Sequence, residues 1–120
     1  MQILIHADAR IDVSPDLVRA IEERLDEQLG RFASRIMRVD VHLADVTGTR
    51  FEENDKECTL SLRISKRSPV TVSDRAPSSA LAVEGAAHKA TRLLDATFER
   101  EGGHPGTETI RKMRADKGLA

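Results

Sequence analysis

Apolar positions recur along the chain with two distinct periods. QILIHA, residues 2–7, is a short apolar run suited to a strand. Ser14 is a good helix N-cap and Pro15 fits the first helical position. From there Leu17, Ile21, Leu25, Leu29 and Phe32 recur at spacings of 4, 4, 4 and 3, which predicts an amphipathic helix. Its outer face carries Arg19, Glu22, Glu23, Asp26 and Glu27, and Gly30 marks a frayed end. The pattern then changes to alternation. In 36–46 Val39, Val41 and Leu43 face inward, and Arg38, Asp40 and His42 outward. In 57–64 Cys58, Leu60, Leu62 and Ile64 face inward, and Thr59, Ser61 and Arg63 outward. Val70 and Val72 mark a fourth strand with Thr71 and Ser73 on its solvent side.

Asp74 to Ser79 opens a second helix, with Ser78 or Ser79 as its cap. Val83, Ala86, Ala87, Ala90, Leu93, Leu94 and Thr97 fall within a sector of about 120° at 3.6 residues per turn, and they form its apolar face. Gly102 and Gly103 stop it. The order is β-α-β-β-β-α. Strands with one polar and one apolar face predict a sheet covered on one side only, with the two helices as the cover. We therefore divide the chain into an α+β domain, 1–101, and a flexible tail, 102–120. The loop TGTRFEENDK, residues 47–56, is longer than a hairpin requires.

Composition narrows the functional classes. The 120 residues include 39% hydrophobic ones, enough for a packed domain. No apolar run approaches the roughly 20 residues of a membrane span. The N-terminus lacks the basic and small-residue segments of a signal peptide, so cytoplasm is the expected compartment. Net charge is −1. Residues 102–120 carry four basic and two acidic side chains, which makes the tail mildly basic and leaves the body mildly acidic. A basic site must therefore be a local patch. Trp and Tyr are absent and there are three Phe, which argues against reading single strands by aromatic stacking.

Catalytic motifs are missing: there is no GxSxG, HExxH, glycine-rich phosphate loop or CxxC. Cys58 occupies an inward strand position and reads as a small buried thiol. The four histidines have no ligand spacing. No catalytic residue, metal, cofactor or small-molecule substrate is expected. The second helix is more informative. His88, Lys89, Arg92 and Arg100 fall within one sector of about 120°, interleaved with Gly85 and Ala96. A phosphate backbone could approach such a strip closely. The plain alternative is a solvated helical face. Arg63, Lys66, Arg67 and Arg75 add positive charge around the last two strands.

The opening MQILIHADARIDVSPDLVRAIEERL, the strand VDVHLADV, the pair KECTLSLRI and PVTVSDRA, and the string AVEGAAHKATRLL together resemble the ribosome hibernation-promoting factor family. That family includes the ribosome-associated inhibitor A and sigma-54 modulation proteins. Lys89 and Arg92 match its Lys-x-x-Arg on an Ala-rich second helix. The resemblance covers roughly residues 1–100. It implies a four-stranded mixed sheet with two parallel helices on one face, like a double-stranded-RNA-binding domain. It also implies a cytoplasmic, stress- or stationary-phase translation inhibitor. Such a protein would bind rRNA of the small ribosomal subunit in the mRNA and tRNA channel, and be monomeric off the ribosome. The candidate rRNA contacts are then Lys89, Arg92, His88, Arg100, Arg75, Lys66, Arg67 and Arg63. The chain departs from the family after Arg92, where LLDATFERE carries fewer cations. It also lacks the family's second domain, so pairing of ribosomes by that route is not expected. Two other readings stay open at this point: a double-stranded-RNA binder with a non-ribosomal target, and a protein-interaction module using the acidic first helix and the polar sheet face.

Overall fold

A computed structural model describes residues 1–46 and 55–102. The expectations for the 47–56 loop, apart from its last two residues, and for the tail beyond Gly102 lie outside these residues. Six elements follow the expected order: β1 (Gln2–Ala7), α1 (Pro15–Leu29), β2 (Ile36–Asp45), β3 (Lys56–Ile64), β4 (Val70–Ala76) and α2 (Ser79–Gly102). The Ser14 hydroxyl accepts from Leu17 N–H at 3.1 Å, with Pro15 in the first turn. At the second helix the choice of cap falls on Ser78, whose hydroxyl accepts from Leu81 N–H at 3.2 Å. Gly30 does not fray α1. It continues as a 3₁₀ turn, Gly30–Phe32, which seats Phe32 in the core.

The sheet order is β1-β2-β3-β4, with β1 parallel to β2 and the other pairs antiparallel. Both helices cover one face. Val39, Val41, Leu43, Cys58, Leu60 and Leu62 from the sheet meet Ile21, Leu25 and Leu29 from α1 and Val83, Ala86, Ala87, Ala90 and Leu94 from α2. The small residues let α2 lie close to β3 and β4. The helices run parallel, because their cross-contacts rise together. Arg24 meets Glu84, Thr91 donates to the Gln28 carbonyl, and Arg31 meets Asp95.

Three details differ from the periodic reading. Leu93 is 40% exposed; it lies one turn beyond Lys89, on the flank of α2 above the open edge of β4. Ala82 takes an inner place and is fully buried. In β2 the alternation breaks once. The register with β3 shifts between Ile36 and Arg38, a β-bulge that turns both Met37 and Arg38 away from the core.

Candidate nucleic-acid interface

The basic sector of α2 lies beside the edge strand β4. Lys89 is not free there. Its Nζ donates to the Ser73 carbonyl at 2.8 Å and pairs with Asp74 Oδ1 at 3.2 Å. Asp74 sits at the inward register position opposite Cys58, beneath the helix. Its carboxylate fills the space above Gly85, where a β-carbon would come 2.8 Å from Asp74 Cγ. The gap expected between Lys89 and Arg92 is therefore occupied by the protein itself. Gly85 is there for close approach of helix to strand, which corrects its reading as an opening for phosphate. Lys89 also covers an outward carbonyl of β4, which limits what that edge offers to another strand.

His88 and Arg92 remain exposed, with no ion pair or side-chain hydrogen bond among the described residues. Arg100 is exposed and makes, among the described residues, one long contact, Nε to the Ala96 carbonyl at 3.4 Å. Two acidic residues of α2 beside this strip, Glu84 and Asp95, are drawn toward α1, while Glu99 stays exposed within the sector of His88 and Arg92. Arg24 takes Glu84, and Arg31 grips both carboxylate oxygens of Asp95 at 2.6 and 2.7 Å. That fork holds the Asp95 carboxyl below its usual range and raises the Arg31 guanidinium.

The other four candidates do not join this strip. Arg63 and Arg75 stand on the uncovered face of the sheet, and Arg75 is paired across the strands with Glu57 at 3.3 Å. Lys66 and Arg67 lie in the β3–β4 turn, where Lys66 adopts φ 63° and is exposed. The Arg67 guanidinium is 6.0 Å from the Phe98 ring centroid, and Arg35 lies over the same ring at 3.9 Å. The sequence reading missed Arg35 and Arg38. Nothing in the hydrophobic period marks Arg35, which falls between elements. Arg38 shows its significance only through the bulge. The candidate cations, with Arg35 and Arg38, thus occupy three places: the α2–β4 flank, the outer sheet face and the β3–β4 end.

The family profile of sigma 54 modulation protein / S30EA ribosomal protein matches residues 5–101. The chain belongs to this family. Membership makes it a ribosome-associated protein of the interface and hibernation type. A ribosomal subunit interface protein from Coxiella burnetii is similar in fold: TM-score 0.66, 15% identity, 82% of this chain and 98% of that one covered. The N-terminal domain of Thermus thermophilus Protein Y is similar too, at TM-score 0.64 and 12% identity, covering 81% and 99%. At these identities the likeness is one of fold. No curated protein matches the chain by sequence.

The polar groups His6, Asp40 and His42 of this family member have partners on the sheet. Asp40 does not pair with His42 but meets Arg38 Nε at 3.0 Å and His6 Nε2 at 3.3 Å, and Arg38 chiefly holds its carboxyl low. His42 stacks on His6 with ring centroids 4.8 Å apart. Burial pushes the Cys58 thiol up to about 12, with the Asp74 and Glu57 carboxylates adding to the shift. Among the described residues no group of three His, Cys, Asp or Glu is arranged to hold a metal ion. No helix among them is long and apolar enough to cross a membrane.

Proposed function

We propose that this protein is a cytoplasmic, non-enzymatic translation inhibitor. It binds the small ribosomal subunit through rRNA phosphates, in the channel used by mRNA and tRNAs, and keeps idle ribosomes from initiating under stress or in stationary phase. Family membership over residues 5–101 carries this reading. The site geometry supports a phosphate reader. Arg92 and His88 are exposed and uncommitted among the described residues, and Lys89 ties the helix that presents them to β4. Phe32 is buried and Phe98 half-buried beneath Arg35, which leaves no exposed Phe, Tyr or Trp platform among the described residues. The α1 side is less suited to RNA, because Glu23, Glu27 and Glu84 line the groove between the helices with Arg24 and Gln28. The α2–β4 flank is the side offered to the backbone.

Co-sedimentation with purified subunits tests the proposal. The protein is expected in the small-subunit fraction and is expected to compete with mRNA or initiator tRNA. Migration with the large subunit alone, or with neither, would sink it. Weak sequence preference among RNA helices of similar shape is also expected.

A further inference from the structure

The uncovered face of the sheet carries a cationic arrangement separate from α2. The bulge in β2 places Met37 and Arg38 on this face in succession, where regular alternation would turn one of them inward. The register sets Arg38 directly opposite Arg63 of β3. Like charges facing each other across an antiparallel pair are unfavourable. Arg38 is partly neutralised by Asp40, whereas Arg63 has no partner among the described residues. Two residues beyond β3, Lys66 is exposed and equally unpartnered. Ser61 and Thr71 face each other on the adjoining strands and supply hydroxyl donors.

From this juxtaposition of Met37, Arg38 and Arg63, with Lys66 in the turn that follows β3, we infer a second RNA-backbone site on the open sheet face. It lies across the sheet from the Arg92 strip. The inference rests on the ribosome-binding reading above, and extends it: the domain is held between two phosphate tracks, one on each side. The chemistry favours RNA over a protein partner. Arginine forks suit phosphate oxygens, and an anion between Arg38 and Arg63 relieves their repulsion. A protein partner would look for an apolar centre. Met37, 59% exposed, is the one exposed large hydrophobic residue that the described outer face offers. A flexible thioether can instead lie against a ribose or base.

The test uses the full chain, small ribosomal subunits and, separately, a mixed-sequence RNA hairpin that needs no ribosome. Arg63→Glu places a carboxylate opposite Arg38. Thermal melting is expected to stay the same or rise, while RNA affinity falls. Arg63→Gln should lower the log–log salt slope by roughly 0.7–0.9, the loss of one phosphate contact. Its effect should add to that of Arg92→Gln, because the two sites share no partner. Wild-type affinity and slope for Arg63→Gln and Arg63→Glu on the hairpin would overturn the inference. So would a loss of subunit binding with no change of slope, which would assign the face to a ribosomal protein. Failure of the wild-type chain to sediment with subunits would instead count against the proposed function, and the hairpin would still decide the sheet face.

Discussion

Gly85 of α2 lies directly above the carboxylate of Asp74 on β4, so close that a side chain at 85 and the Asp74 side chain cannot both keep their places. Helix propensity alone would make Gly85 a defect, since Ala is better by roughly 0.8–1 kcal/mol in a helix interior. The packing reverses that sign. Gly85→Ala is expected to destabilise the fold by about 1–2 kcal/mol, as overpacked substitutions do. In an Asp74→Ala background the same change should stabilise by the propensity gain. Urea denaturation of the four variants measures the coupling. An additive cycle would show that Asp74 moves aside without cost.

That reversal shows where the sequence was legible and where it was not. A short apolar run placed β1, and β4 runs on through Asp74 to Ala76, where the reading opens the helix. Periods of 3.6 and 2 placed both helices and the last three strands, because each has one face in water and one in the core. The Ser14 cap, the Val39–Val41–Leu43 row and the Ala-rich face of α2 follow from that contrast. What periodicity cannot register is an inward-facing polar residue. Asp74 occupies a core-side position of an edge strand, and its compensation by Lys89 and Gly85 comes from a helix eleven to fifteen residues away. Lys89 therefore looked like a free cation, as did Arg75, whose partner Glu57 lies on the neighbouring strand. The bulge at Met37 was hidden for a related reason: both of its residues are outward, so it reads only as a shift in phase.

Acid should weaken the fold through three carboxylates. Asp8 is held low by the backbone N–H groups of Asp45 and Arg10, Asp40 by Arg38, and Asp95 by Arg31. Their folded-state values lie below the ordinary 3.8. The stability they contribute is therefore complete above that pH and is lost as pH falls below it. Urea midpoints should be flat near neutrality and drop in that acidic window. Asp95→Asn should remove part of the drop. An unchanged acid limb in that variant would show that the Arg31 fork does not contribute.

Cys58 should be silent in the native protein. Its thiol is pushed up to about 12 by burial, so little thiolate exists at neutral pH. Iodoacetamide at about pH 8 is expected to label the chain only as fast as it unfolds, and urea should release the full rate. Prompt labelling without denaturant would mean that the sheet opens at β3 far more readily than its buried neighbours suggest.

Arg92 and Lys89 should separate binding from stability. Arg92 is exposed and makes no hydrogen bond, ion pair or ring contact among the described residues, so Arg92→Ala should change stability by only about 0.5 kcal/mol or less. If it meets a phosphate, the log–log salt slope for ribosome binding should fall by roughly 0.7–0.9. Lys89→Ala removes a half-exposed ion pair and the donor to Ser73, and should cost up to about 1 kcal/mol. It also leaves the Asp74 carboxylate uncompensated beside the RNA, so affinity should drop through repulsion. The double change Lys89→Ala with Asp74→Ala should then restore most of the binding, because the negative charge goes with its partner. Filter binding across a salt series distinguishes the two roles. Persistent loss in the double variant, with the slope reduced as for Arg92→Ala, would make Lys89 a phosphate contact in its own right and not only the residue that anchors α2 to β4.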